Sequence, residues 1–209
     1  MYNPAHFEET RLEVMHQLMH AHPFATLVVL TEGGIMANHL PFFLSETEGD
    51  FGVLRGHVAR ANPVWQSFKA ECEVLVIFNG AHHYITPSWY PTKKEIGKVV
   101  PTWNYAVVHA AGNMQTHQEV TWIRSHLESL TNLNEAVVGG DWQVSDAPVD
   151  YIERLMGLVV GIEIPITRLE GKWKVSQNQP EQNREGVIQG LRAMGGSACP
   201  MASLVESNQ

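Results

Sequence analysis

A chain of 209 residues that is 44% hydrophobic and 17% charged can bury a core without a covalent staple, and its two cysteines, Cys72 and Cys199, suggest neither a disulfide framework nor a paired metal ligand. Its net charge of -8, from 14 Lys and Arg against 22 Asp and Glu, argues against direct nucleic-acid binding by a lone subunit, because such binding draws its affinity from cations set against phosphates. No apolar run approaches the ~20 residues of a bilayer-spanning helix, and the N-terminus carries no basic-then-apolar leader, so a cytoplasmic location is expected.

Residues 2–7 read as extended, since Asn3 precedes Pro4. Over residues 8–22, Leu12, Met15, Leu18 and Met19 recur at helical steps; Pro23 ends that helix, and His16 and His20 fall on a solvated face rather than in a metal site. Residues 24–30 form a strand, 31–34 its turn and 35–44 the returning strand, weakened at Pro41. A polar turn at 45–50 leads to a third strand over 51–58, which 59–63 break; 64–70 form a short helix and 73–78 a fourth strand.

The stretch from Gly80 to Gly112 organises the chain. Strands at 82–86 and 99–110 flank a surface excursion over 87–97, and the tripeptides Ser88-Trp89-Tyr90 and Trp103-Asn104-Tyr105 set aromatic rings beside hydroxyls and amides. A helix follows over 119–130, a turn at Gly139-Gly140, a shorter helix at 149–155, a last strand at 158–169 with an edge or bulge at Pro165, and a final helix at 180–194. Strands this frequent, without long helical crossovers, predict a mainly β protein with flanking helices (α+β), closed or partly closed into a barrel. Residues 1–194 are expected to form one domain and 195–209 a loose tail.

The chain lacks a phosphate loop, a dinucleotide fingerprint, a nucleophile elbow and a zinc-protease helix. Four polar clusters remain: Arg60 and Asn62 in GHVARANP, Ser88 and Trp89, Thr102-Trp103-Asn104, and Lys174 with Ser176 and Gln177. Taken singly, each reads first as turn chemistry. Together they offer cations for a phosphate, hydroxyls and amides for a polar ring edge, and aromatic faces for stacking, which are the demands of flavin mononucleotide (FMN).

The ordered series YNPAHF, HLPFFL, GHVARANPVW, YITPSWY, VPTWNYAVVH and KWKVSQN, followed by REGVIQGL at 184–191, resembles the FMN-binding negative transcriptional regulators of the PaiB type. The resemblance runs from residue 2 to about residue 194. It implies an FMN-binding split β-barrel, a homodimer with flavin at or near the subunit interface, and regulation of protease and sporulation genes. It carries flavin contacts to Arg60, Asn62, Ser88, Trp89, Thr102, Trp103, Asn104, Lys174, Ser176 and Gln177. Ala81 departs from the family's glycine-proline-histidine turn, and Gln179 stands where arginine commonly follows SQN. The alternative on the same fold is a flavin-dependent oxidoreductase, for which His57, His82, His83 and His109 are candidate acid-base groups; haem binding is a third reading.

Overall fold

The computed structural model describes residues 1–208. They gather into two compact units, one from residues 1–18, 79–108 and 170 onward, the other from residues 19–78 and 109–169. In chain order the elements are β1 (Glu8–Glu9), α1 (Leu12–Ala21), β2 (Phe24–Thr31), β3 (Gly34–Pro41), β4 (Phe43–Ser45), β5 (Val53–Ala59), α2 (Val64–Ser67), β6 (Val74–Ile85), α3 (Thr92–Ile96) and β7 (Thr102–Gly112). There follow β8 (Gln115–His117), α4 (Val120–Val138), α5 (Val149–Met156), β9 (Val159–Lys174), α6 (Glu181–Met194) and α7 (Cys199–Ser207). The strand order is β3-β2-β6-β7-β9-β5-β4, with β1 and β8 also paired to β9. The pairings of β2 with β3 and β6, of β5 with β4 and β9, and of β1 and β8 with β9 are antiparallel. The protein is therefore mainly β with flanking helices, as its strand frequency predicts.

The β2–β3 hairpin follows the sequence closely. Alternate residues Ala25, Leu27 and Val29 are buried, and Thr31 Oγ1 donates to the carbonyl oxygen of Gly34 at 2.8 Å, closing the turn. Pro41 ends β3, so the expected 35–44 strand becomes two pieces on either side of Phe42. Helix α4 runs on to Val138 because nothing breaks it before Gly139, which takes a left-handed φ of 70°. On its inner face Ile123 packs with Val144, Ile152 and Met156, joining α4 to α5.

Elsewhere the sequence reading is corrected. Glu8 and Glu9 pair as a strand with Lys172 and Gly171 rather than opening the helix, and Glu9 Oε1 accepts from the Arg11 backbone N–H at 2.9 Å. His16, expected in solvent, is 4% exposed. The strands expected separately over 73–78 and 82–86 are one strand, and the strand expected over 158–169 continues to Lys174. Gly80 and Gly171 each mark a close approach within a strand. A Cβ on Gly80 would lie 2.8 Å from the Leu18 side chain, and one on Gly171 2.9 Å from the Glu9 carbonyl oxygen. Residues 195–208 are not loose either. They form a 3-10 turn and α7, whose Met201, Ala202 and Val205 are buried, and Arg192 of α6 pairs with Glu206 at 2.6 Å.

Two interior features have measurable consequences. Trp89 lies across α6 so closely that a Cβ on Gly190 would sit 2.3 Å from its ring. Gly190→Ala is expected to destabilise the fold by about 1–3 kcal/mol, read as a lower urea midpoint. In the other unit His126, 3% exposed, sits with Nε2 3.0 Å from His57 Nδ1, and burial, helped by the charges of His57 and Arg55, pushes its pKa down to about 3. A free imidazole takes a proton near 6.5, so the unfolded chain binds a proton there that the folded chain refuses until about pH 3. The stability tied to neutral His126 is therefore present above pH 6.5 and lost as pH falls towards 3. Replacing His126 with Phe should flatten the fall in urea midpoint between pH 7 and pH 4 relative to the wild-type chain.

Candidate functional site

The first of the two units holds a cavity of about 260 Å³ bordered by Tyr90, Thr102, Asn104, Lys174, Ser176 and Gln179. Its walls are set by strand ends. Thr102 and Asn104 lie two residues apart at the start of β7, hence on one face, and Lys174 ends β9. Lys174 Nζ donates to Thr102 Oγ1 at 2.6 Å, and Asn104 Nδ2 donates to Ser176 Oγ at 2.8 Å. Ser176 adopts a φ of 66°, alone among non-glycine residues described, a conformation costing about 1–2 kcal/mol that holds its hydroxyl against Asn104.

Two buried polar atoms of this cavity have no partner: the Asn104 Oδ1, on a residue 0% exposed, and the Tyr90 hydroxyl, on a residue 3% exposed. Burial pushes the Tyr90 pKa up, so its hydroxyl keeps its proton and remains a donor. Among the residues bordering the cavity, Asn104 thus carries a spare acceptor, and Tyr90 and Lys174 carry donors. Gln179 extends the network, its Oε1 accepting from Asn183 Nδ2 at 3.1 Å, while Asn183 Oδ1 accepts from Thr92 Oγ1 at 3.1 Å at the start of α3.

Of the ten residues singled out from the sequence, the structure brings Thr102, Asn104, Lys174 and Ser176 together at this cavity. Ser88, Trp89, Trp103 and Gln177 belong to the same unit, where their recorded contacts serve the frame. The Ser88 N–H donates to Thr86 Oγ1 at 3.2 Å, capping a 3-10 turn. Trp89 rests on Gly186 and Gly190. Trp103 is 50% exposed, stacks on His82 at 6.0 Å and meets Tyr84 edge-on. Gln177 clamps its own turn, donating to the Trp173 carbonyl at 2.5 Å and accepting from the Val175 N–H at 2.8 Å. Arg60 and Asn62 lie in the other unit with their polar atoms engaged. Arg60 donates to the Gly157 and Val159 carbonyls and to Gln118, while Asn62 bonds Asn38 and caps the Val64 N–H. Sequence reasoning missed Tyr90 and Gln179. Tyr90 belonged to a tripeptide already marked as aromatic, but only its burial reveals the unpaired hydroxyl. Among the described residues no group of three His, Cys, Asp or Glu could hold a metal ion.

Ser176→Ala would strand the buried Asn104 amide. A loss of about 1–3 kcal/mol in unfolding free energy is expected by urea titration, and a loss below about 0.5 kcal/mol would mean that solvent replaces the hydroxyl.

Residues 1–168 match the family model described as "Putative FMN-binding domain". The chain is 32% identical to the Protease synthase and sporulation protein PAI 2 of Bacillus subtilis, over 99% of this chain and 97% of that one. It is 36% identical to an uncharacterized protein of Emericella nidulans, over 95% of this chain and 93% of that one. Among solved structures it resembles the FAD and heme binding protein of Mycobacterium smegmatis, with TM-score 0.57, 12% identity and coverage of 80% of this chain and 73% of the other. It likewise resembles the flavocytochrome Anf3 of Azotobacter vinelandii, with TM-score 0.56, 14% identity and coverage of 80% and 69%. Among the described residues no helix is long and apolar enough to cross a membrane. A family model matching most of the chain, together with a relative above 30% identity along nearly all of it, places this protein in the FMN-binding domain family, on the flavin-binding split-barrel fold and with FMN as its cofactor.

Proposed function

We propose that this chain is a cytoplasmic, homodimeric negative regulator of the PaiB type whose flavin is read by the cavity at Asn104. The observation that carries the site is the buried, unpaired Asn104 Oδ1 beside two donors. The pyrimidine edge of the flavin ring alternates acceptor, donor and acceptor. Asn104 Oδ1 would accept from the ring N–H, while the Tyr90 hydroxyl and the Lys174 ammonium would donate to ring carbonyls. Thr102 and Ser176 would hold Lys174 and Asn104 in place, and Ser88, Trp89, Trp103, Gln177, Arg60 and Asn62 would act through the frame. Bound FMN supplies a two-electron redox couple and visible absorbance.

A cavity of about 260 Å³ lies below the usual range of roughly 300–1,000 Å³ for sites that bury a whole cofactor-sized ligand. That shortfall supports a homodimer in which a second copy contributes to the flavin's surroundings. The regulatory reading rests on the similarity to PAI 2, and the net charge of -8 favours action through a partner or by flavin sequestration over direct DNA contact.

Absorbance of the fresh protein and quenching of FMN fluorescence on titration test the cofactor reading, and Asn104→Ala should weaken FMN by about ten-fold, equivalent to roughly 1.4 kcal/mol. Colourless protein that leaves added FMN fluorescence unchanged would overturn it. Size-exclusion chromatography with light scattering should give twice the monomer mass. FMN-dependent oxidation of NADH or NADPH at a steady rate would move the function to an oxidoreductase, and a salt-sensitive gel shift with promoter DNA would establish direct contact.

A further inference from the structure

The second unit contains a cavity of its own, independent of the flavin reading. Its volume is about 260 Å³, and its walls are Phe43, Arg55, Trp122, Ser125, His126 and Ser129. We propose that this cavity binds a small uncharged aromatic molecule bearing a hydroxyl or amide group.

The polar contact is defined by His126. Its Nε2 lies 3.0 Å from His57 Nδ1, one of the two rings donating to the other, and its Nδ1 is buried with no partner. If Nε2 carries the proton, Nδ1 is an acceptor; if Nε2 accepts, Nδ1 carries the proton and is a donor. Either tautomer leaves one buried nitrogen in need of a partner, on a residue 3% exposed. A hydroxyl serves both cases, and so does a primary amide.

Charge excludes the obvious alternative, an anion held by arginine. The Arg55 fork is already committed. Its two terminal nitrogens donate to the two carboxylate oxygens of Glu48 at 2.8 and 2.7 Å, and its Nε donates to Glu163 at 2.7 Å. Burial pushes the pKa values of both His57 and His126 down, so neither ring supplies a positive charge near neutral pH. The cation is outnumbered by the carboxylates it binds, and an anionic ligand would meet no uncommitted positive charge.

The walls favour a ring. Trp122 is held rigidly: its face stacks on His117 at 4.3 Å and 8°, and its edge occupies the space that a Cβ on Gly161 would need, 2.1 Å away. Phe43 supplies a second aromatic surface. An engineered apolar cavity of roughly 150 Å³ suffices for benzene, so the larger volume here admits one ring with a polar substituent. Water could bond to His126 and to the Ser125 and Ser129 hydroxyls that share the lining, but Phe43 offers it no partner, and it is a ring that covers that surface while a polar substituent reaches the histidine.

The test uses the full chain and saturation-transfer NMR with phenol and benzamide as probes, benzoate and toluene as comparisons, and near-ultraviolet circular dichroism to verify folding. Phenol and benzamide should bind saturably and at least ten-fold more tightly than benzoate or toluene. His126→Phe should weaken phenol by about ten-fold, and Phe43→Trp, which fills the cavity while leaving the histidine pair, should abolish binding. Absence of saturable phenol binding, a preference for benzoate, or unchanged affinity in a folded variant of either kind would overturn the proposal and leave the cavity to solvent.

Discussion

Asn104 is buried with half of its amide satisfied and half not, and the cavity around it depends on that asymmetry. The nitrogen is spent on Ser176; the oxygen has no partner within the chain. Leaving a buried acceptor unpaired costs about 1–3 kcal/mol, and the left-handed Ser176 that holds the nitrogen costs about another 1–2 kcal/mol. Neither cost is relieved by local collapse, because Asn104 is anchored in β7 and Lys174 is tied to Thr102. A ligand that donates to Oδ1 therefore gains from a group already desolvated and oriented, rather than having to order one on arrival.

His126 repeats this logic with different chemistry. Both residues are buried, both use one side-chain nitrogen on a neighbouring side chain, and both leave the remaining polar atom unpaired. An amide, however, does not titrate, so Asn104 presents the same acceptor at every physiological pH. An imidazole can exchange donor for acceptor through its partner ring, which makes the pair tolerant of ligand type but sensitive to acid.

Much of the fold was legible from spacing and turn residues. The alternation in residues 24–31 and the helical steps in 120–130 reflect one-sided burial, the feature that periodicity records. Gly80 and Gly171 were harder, because a glycine required by a neighbour's approach looks the same in sequence as one that ends a strand. The candidate site was half legible. VPTWNY and KWKVSQN contain the four residues that meet at the cavity, whereas Arg60, whose fork suits a phosphate, spends donors on Gly157, Val159 and Gln118 in the other unit. Composition cannot distinguish an arginine awaiting an anion from one securing backbone carbonyls. The tail was misread for a related reason: glycines at 195 and 196 suggest freedom, but the buried Met201 and Val205 that follow supply an apolar face.

That last helix bears on how the protein can be handled. α7 packs on α6, and α6 is the surface on which Trp89 rests, one residue from the unpaired Tyr90 hydroxyl. A shortened chain cut after Met194, where the glycine pair invites a boundary, would lose the cover that Met201 and Val205 provide and would loosen the wall of the Tyr90–Asn104 cavity from behind. The C-terminal residues are thus a structural buttress, and a purification handle is better placed beyond an intact α7 than in exchange for it.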